Sequence, residues 1–537
     1  MSRIQDPRRY NAAEDFVDRH LGEGRSDKPA FVDRTRSLSY GQLDAETRRM
    51  ANLLVDHGLE REQRVGLLLL DTVDFPVAFW GAIRAGVVPV AMNTLLGEDQ
   101  YRYILDDSRA RALFVSSALL PRVEPILHEL SHLRHVFVVG GDGVAEDAVD
   151  AAGGLRRAAF APALARASAR FETVDTIADE VAFWLYSSGS TGTPKGVQHL
   201  HSSLQATHRT YGASVLGVRE DDVVFSAAKL FFAYGLGAGM TFPMAVGATT
   251  VLLDARPTPE AVFAVLAERS PTLFFGVPTL YAALLAEGVG EGGRASSRLR
   301  LCVSAGEALP EELGRRWQER MGVEVLDGVG STEMLHIFLS NRPGDVVYGT
   351  SGVPVPGFAL RLVDEAGAEV EPGEVGELLV RGDSAAVGYW GQREKSRRTF
   401  EGEWTRTGDK YVRDEAGRYT YQGRTDDMFK VSGIWVSPFE VESALVAHEA
   451  VLEAAVVPYE DDERLLRPRA FVVKAASAPD DGPLVGSLQA FVKERIGRWK
   501  YPREVVFVDA LPKTATGKVK RFELRARGAT PAGPPRS

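Results

Sequence analysis

At 537 residues the chain is too long for one hydrophobic core, and ordinary domain sizes divide it into roughly two to four. Its 45% hydrophobic and 25% charged residues are those of a folded globular protein, not of a disordered or fibrous one. The net charge of −10 argues against general nucleic-acid binding, and no apolar run approaches the roughly 20 residues of a membrane span.

Met1–Tyr10 is charged and has no apolar segment of the secretory kind. From Tyr40 to about Val115 the pattern alternates. Tyr40–His57 has amphipathic helical spacing, Arg64–Leu70 is a short apolar strand, Phe75–Ala85 a helix and Val87–Met92 a strand. This is βαβ grammar and predicts a largely parallel sheet. Residues 142–171, rich in Ala, Gly and Arg, are weakly patterned and read as a surface connection.

Next comes the apolar run Val181–Leu185, followed by Tyr186-Ser187-Ser188-Gly189-Ser190-Thr191-Gly192-Thr193-Pro194-Lys195-Gly196. Glycines let backbone approach a polyanion, hydroxyls and amides donate to its oxygens, and a lysine adds a point charge. The segment fits neither the P-loop template nor the nucleophile elbow, and a plain surface loop is the bland alternative. Beyond it, Val223–Ala227, Ala248–Leu253, Thr272–Val277 and Arg300–Ser304 read as strands, and Pro259–Glu268 and Pro310–Arg320 as helices, so the fold class is α/β. Gly235, Gly237 and Gly239 have partial dinucleotide-fingerprint spacing, but Met240 stands where the last glycine belongs, which removes a nicotinamide site. The single cysteine, Cys302, lies between Leu301 and Val303 as a core residue. A lone cysteine forms no intrachain disulfide and fits a reducing, cytoplasmic setting.

Gly330-Ser331-Thr332-Glu333 follows a strand, where open α/β sheets bind ligands; a helix N-cap pair is the alternative. Glu333 is a hard oxygen ligand suited to Mg²⁺ on a triphosphate. From Pro354 to Tyr421 short alternating strands such as Gly376–Val380 and Gly417–Tyr421 predict a β-rich subdomain. Within it, Thr405-Arg406-Thr407-Gly408-Asp409 sets a carboxylate after a glycine turn, suited to ribose hydroxyls or to capping the turn itself. Gly423–Asp427 is a polar break, and beyond it Val451–Val457, Arg469–Val473, Leu488–Ile496 and Val505–Val508 mark a small α+β unit. Residues 493–525 hold ten Lys/Arg against four acids, a locally basic end with Lys518 directly after a Thr-Gly turn.

Together, Tyr186–Gly196, Gly330–Glu333, Thr407–Asp409, Gly423–Asp427 and Pro512–Lys518, in this order, resemble the adenylate-forming acyl-CoA synthetase family. Lys229–Gly237 and Gly330–Asn341 are similar to its benzoate-CoA ligase branch. The resemblance runs from about Tyr10 to Arg525. It implies a large N-terminal adenylation domain (1–424), a hinge (425–427) and a mobile C-terminal lid (428–537). It also implies that an aromatic carboxylate attacks the α-phosphate of ATP to give aryl-AMP and pyrophosphate, and that the thiol of coenzyme A then displaces AMP. Benzoate or a ring-substituted benzoate is the implied acid. The alternatives are a related acid such as cinnamate, or a carrier protein's phosphopantetheine as acceptor. No nucleic acid or membrane partner is implied, and a homodimer is left open.

By the same resemblance, Ser187, Ser188, Gly189, Ser190, Thr191, Gly192, Thr193 and Lys195 hold the β- and γ-phosphates, Thr332 contacts phosphate, and Glu333 takes Mg²⁺. Gly306, Glu307, Ala308 and Asp327 line the adenine; Asp409 and Arg424 take the ribose. Lys518 is the adenylation lysine and Asp426 the pivot, with Gly433 admitting the pantetheine arm. Ala233, Tyr234, Val329, Gly330, His336 and Ile337 form the acyl pocket. There, His336 is a candidate to attract the carboxylate, and Tyr234 either stacks on the ring or offers its hydroxyl.

Overall fold

A computed structural model describes residues 9–141, 148–149, 154–188, 193–288, 296–425, 427–431, 434–461, 465–475, 478–497, 499–513 and 519–528. Two nine-stranded sheets dominate it. In the first, Val325–Gly330, Leu301–Ala305, Leu273–Gly276, Val223–Ser226, Thr249–Val251 and Pro29–Val32 are neighbours in that order and all parallel. Antiparallel strands close both edges. Because Val223–Ser226 lies between the next two strands in sequence, the order reverses there, and such a reversal opens a crevice at the strands' C-terminal ends.

In the second sheet Val181–Ser188, Val88–Ala91, Arg64–Leu68, Ala112–Ser116, His135–Val139 and Arg156–Ala159 run parallel. The predicted helix at 40–57 forms as Tyr40–Asp56. Ser39 caps it, its hydroxyl accepting from the Gln42 amide (3.2 Å) while Gln42 Oε1 accepts from the Ser39 amide (2.8 Å). The buried Leu43, Thr47, Met50 and Leu54 share the face that meets the helix Asp74–Arg84. Arg84 is wholly buried, yet its guanidinium bonds Asp18, Asp44 (3.1 Å) and Thr173 Oγ1 (2.8 Å), so its charge is paired.

The surface connection expected over 142–171 is corrected in its described part. Arg156–Ala159 is a strand and Phe160–Arg166 a helix that buries Phe160, Ala163 and Leu164. Two arginines in that strand face solvent or half-solvent, which hid its alternation. The β-rich segment is a five-stranded antiparallel sheet containing Val375–Arg381, Trp404–Arg413 and Tyr419–Arg424. After it comes a small unit with a three-stranded sheet, Val451–Glu460, Leu466–Lys474 and Glu504–Phe507, against the helices Pro438–Val446 and Asp481–Ile496. The architecture is α/β with a large N-terminal and a small C-terminal domain. Among the described residues no helix is long and apolar enough to cross a membrane.

Burial pushes His20, His135, His199, His201 and His208 down to about 4 and His336 to about 3. It pushes Asp71 up to about 6 and Asp327 to about 8. Between about pH 6.5 and 4 the unfolded chain protonates the six imidazoles and the folded chain does not, so their contribution is complete above 6.5 and lost as pH falls. These two carboxyls, and Glu46, Asp74 and Asp107, which burial also raises, act in the opposite sense and are outnumbered by the six imidazoles. Urea unfolding from pH 7 to 5 is therefore expected to give a steadily falling midpoint; a flat or rising midpoint contradicts this account.

Candidate active site

The Gly/Ser-rich loop is the tip of a hairpin. Val181–Ser188 and Pro194–Leu200 pair antiparallel, with Lys195 opposite Ser187 and Gly196 opposite Tyr186. A strand follows the loop, so no helix N-terminus stands behind it, and hydroxyls, amides and one ammonium form its donor set. Directly opposed residues share a face of the sheet, which brings Ser187 and Lys195 together. Ser188 ends the first strand, and Thr193 is exposed at the start of the second arm. Gly189, Ser190, Thr191 and Gly192 lie outside the described residues, as do Asp426, Gly433 and Lys518.

Glu333 reaches the same point from the other sheet. Thr332 and Glu333 do not open a helix, which removes the N-cap alternative. They lie in a turn between Val325–Gly330 and Ile337–Ser340, held by the Met334 amide on Ser331 Oγ (3.1 Å) and the Leu335 amide on the Thr332 carbonyl (3.1 Å). Leu335 takes a left-handed φ of +65°, a conformation costing an L-residue with Cβ about 1–2 kcal/mol. Two outside contacts hold it: Ser384 Oγ donates to the Met334 carbonyl and the Ala386 amide to that of Glu333, both at 2.8 Å. Beside the turn, Gly330 must be glycine, since a Cβ would lie 2.5 Å from the His336 carbonyl oxygen.

At the junction Lys195 Nζ lies 3.5 Å from Glu333 Oε1, as does the hydroxyl of Ser187. A closer partner is one the sequence did not single out. Tyr389 donates its hydroxyl to Glu333 Oε1 at 2.8 Å and accepts from Lys195 Nζ at 3.1 Å. Burial would raise the Glu333 carboxyl, but the Lys195 ammonium and the Tyr389 hydroxyl outweigh it and hold the group below its ordinary range. Glu333 is therefore charged at neutral pH.

The pocket residues converge on the crevice in the first sheet. Ala233 and Tyr234 begin a helical run, Ala233–Leu236, one π-helical turn Gly237–Thr241, then Phe242–Val246; the three glycines at 235, 237 and 239 sit inside it, not in a strand-to-helix turn. Tyr234 packs in one cluster with Val329 and Ile337. Its hydroxyl lies 3.0 Å from the Val303 carbonyl and 3.2 Å from that of Gly276, so it donates into the strand ends and not to a ring substituent. His336 is 3% exposed, with Nε2 3.1 Å from the Tyr234 carbonyl. Burial lowers its pKa to about 3, the Tyr234 carbonyl acting in the opposite direction. It is thus uncharged at neutral pH, which speaks against charge attraction, and its Nδ1 is buried with no hydrogen-bond partner among the described residues.

Gly306, Glu307 and Ala308 follow the Leu301–Ala305 strand, adjacent and parallel to the strand carrying Asp327. Asp327 braces that loop. It is 3% exposed and accepts from the Leu309 amide (3.2 Å) and Ser351 Oγ (3.3 Å), so its carboxyl group ties the 306–309 loop to the sheet. Asp409 lies inside the long strand Trp404–Arg413, at an irregularity and not a turn. Arg424 pairs with it across the sheet and binds Asp409 Oδ1 (2.9 Å) and the Thr407 carbonyl (2.8 Å). Gly408, at φ +70°, makes room: a Cβ there would stand 2.8 Å from the Arg424 guanidinium.

Tyr234→Phe deletes the donor beneath the pocket and leaves two strand carbonyls without it. Unfolding free energy by urea titration is expected to fall by about 1–3 kcal/mol. No loss would show that the hydroxyl is not part of the scaffold.

The AMP-binding enzyme family matches residues 18–390 and the AMP-binding enzyme C-terminal domain matches residues 440–518. The chain is 54% identical over 519 residues to a 4-hydroxybenzoate–CoA/benzoate–CoA ligase of Rhodopseudomonas palustris, covering 96% of this chain and 94% of the relative. It is 54% identical over 527 residues to a benzoate–CoA ligase of Thauera aromatica, covering 97% of each. Among solved structures, a benzoate CoA ligase from Burkholderia xenovorans LB400 superposes with a TM-score of 0.87 at 50% identity, covering 96% of this chain and all of that one. The hairpin, the Thr332–Glu333 turn and the cleft between them thus occur in a chain that belongs to the AMP-binding enzyme family.

Proposed function

We propose that the protein is an AMP-forming aryl-CoA ligase: it activates benzoate or a ring-substituted benzoate with ATP to the aryl-AMP, and transfers the acyl group to coenzyme A. One observation carries this reading. Over five residues, the 333–337 turn presents Glu333 to the phosphate hairpin and His336 and Ile337 to an apolar wall, so a triphosphate and a flat acid are served by adjacent residues.

The first step develops charge at the α-phosphate, and the protein's task is positioning and electrostatic stabilisation. Ser187 to Lys195 receive the β- and γ-phosphates, with Thr332 beside them. The loop 306–308 borders the adenine, with Asp327 bracing it from below, and Asp409, oriented by Arg424, receives the ribose. The aryl ring lies against Tyr234, Val329 and Ile337, with Ala233 and Gly330 at its edge.

Mg²⁺ fits this set. It binds through one or two carboxylates plus substrate phosphates, and Glu333 is a single charged carboxylate at the triphosphate side. Among the described residues no group of three or more ligating side chains offers an all-protein cage. When bound, the ion would neutralise charge on the triphosphate.

Residues 425–427 form the hinge between the adenylation domain 1–424 and the lid 428–537, with Asp426 as pivot. The contacts of its neighbour support this: Asp427 is held by Arg525 (2.6 Å) and lies 3.7 Å from Arg521, so the chain after the pivot is tied to the lid. Lys518 is carried to the reacting carboxylate and phosphate in the first step, and rotation exchanges it for the Gly433 face when coenzyme A enters. Such chemistry fits a cytoplasmic, reducing setting.

Incubation with ATP, coenzyme A and a panel of benzoate, hydroxybenzoates, aminobenzoates and cinnamate is expected to release AMP with the benzoates; release with none of the panel overturns the reading. Lys518→Ala should slow adenylation by about 10²–10³ and largely spare thioester formation from preformed aryl-AMP. Equal loss in both half-reactions contradicts the role given to Lys518.

A further inference from the structure

Tyr389 is the nearest partner of both charges at the phosphate junction. It lies on the two-residue strand Gly388–Tyr389, antiparallel to Pro194–Leu200, with Tyr389 opposite Val197. Lys195 is two residues from Val197 on the same strand and therefore on the same face, so the register makes Lys195 and Tyr389 diagonal neighbours. The ammonium stands 4.2 Å from the centre of the tyrosine ring. The ring is 5% exposed and packs on Phe400 at 5.4 Å.

Left to themselves, a buried ammonium and carboxylate close to a charge-assisted contact of about 2.7–2.9 Å. Here they stand at 3.5 Å, with the phenol bonded to each more closely than they are to one another. The Ser187, Lys195 and Tyr389 contacts of Glu333 all fall on Oε1, and among the described residues no side chain bonds Oε2. The Ser384 and Ala386 contacts fix the backbone of Glu333 through the same segment of chain, so 384–389 sets both its main chain and its side chain.

We propose that the Tyr389 hydroxyl is a positioning residue that keeps Lys195 and Glu333 from neutralising one another, holding the lysine for the triphosphate and Glu333 Oε2 for the divalent cation that accompanies it. This deepens the ligase reading and rests on it. Groups that orient a metal's own ligand typically change its affinity by about 10–100-fold when removed.

The test compares full-length wild type with Tyr389→Phe, which keeps the ring on Phe400 and over Lys195. Binding of a non-hydrolysable ATP analogue is measured by calorimetry with and without Mg²⁺, and benzoate-dependent pyrophosphate exchange is followed against Mg²⁺ concentration. Tyr389→Phe is expected to weaken Mg²⁺-dependent analogue binding and to raise the half-saturating Mg²⁺ by about 10–100-fold. The KM for benzoate should stay within about twofold, and the metal-free analogue affinity, which reads the Lys195 contact alone, should fall by less than the Mg²⁺-dependent affinity. Phe400→Leu loosens the same packing without touching the hydroxyl and should leave the metal dependence unchanged. An unchanged half-saturation in Tyr389→Phe, or an equal shift in Phe400→Leu, overturns the proposal. Absence of exchange in wild type with every benzoate instead overturns the ligase reading, and calorimetry still decides whether Tyr389 acts on the metal.

Discussion

The Glu333 carboxylate must stay ionised where burial opposes ionisation, and the surrounding structure is arranged to meet that demand. Its compensating groups come from elsewhere in the fold. Glu333 sits in a turn of the first nine-stranded sheet, whereas Lys195 and Tyr389 belong to adjacent strands of the second. The cluster is therefore a fastening between two sheets as well as a candidate site for phosphate and metal. Charge placed there is preorganised, because neither sheet can shift without separating the pair.

A third sheet carries the two residues proposed for the ribose. Asp409 and Arg424 are cross-strand partners, and the Arg424 charge also acts on the Tyr389 hydroxyl. The strand that places Arg424 runs directly into the segment read as the hinge. The proposed ribose contact and the proposed hinge thus share one short length of backbone, along which closure would reach the nucleotide without a separate relay.

Much of this was legible in the sequence because the signals are local. Apolar runs such as Arg64–Leu68 and Leu301–Ala305 and the capped helix Tyr40–Asp56 follow from periodicity within a few residues. The Ser187, Lys195 and Glu333 grouping followed from the family pattern. What escaped notice depends on distant partners. Tyr389 meets residues 56 and 194 positions away, and no spacing rule joins them. Asp327 stands in a recognisable motif, but its burial beneath Leu309 and Ser351 is a property of the packed sheet. The strand at Arg156–Ala159 alternates too weakly, and Asp409 looked like a turn because Gly408 marks an irregularity inside a strand.

The engagement of the Tyr234 hydroxyl with two strand carbonyls bears on selectivity. With that hydroxyl spoken for, the wall proposed for the aryl ring offers mainly carbon surface, together with the buried His336 Nδ1, which has no hydrogen-bond partner among the described residues. Carbon surface resists an added bulk through steric exclusion but discriminates weakly against a hydroxyl of similar size, so preference by hydrogen bonding at this wall would rest on His336 Nδ1. At the proposed wall, choice among ring acids would then fall mainly to the shape of the cavity and to which acids are present, with one imidazole nitrogen as the polar reader.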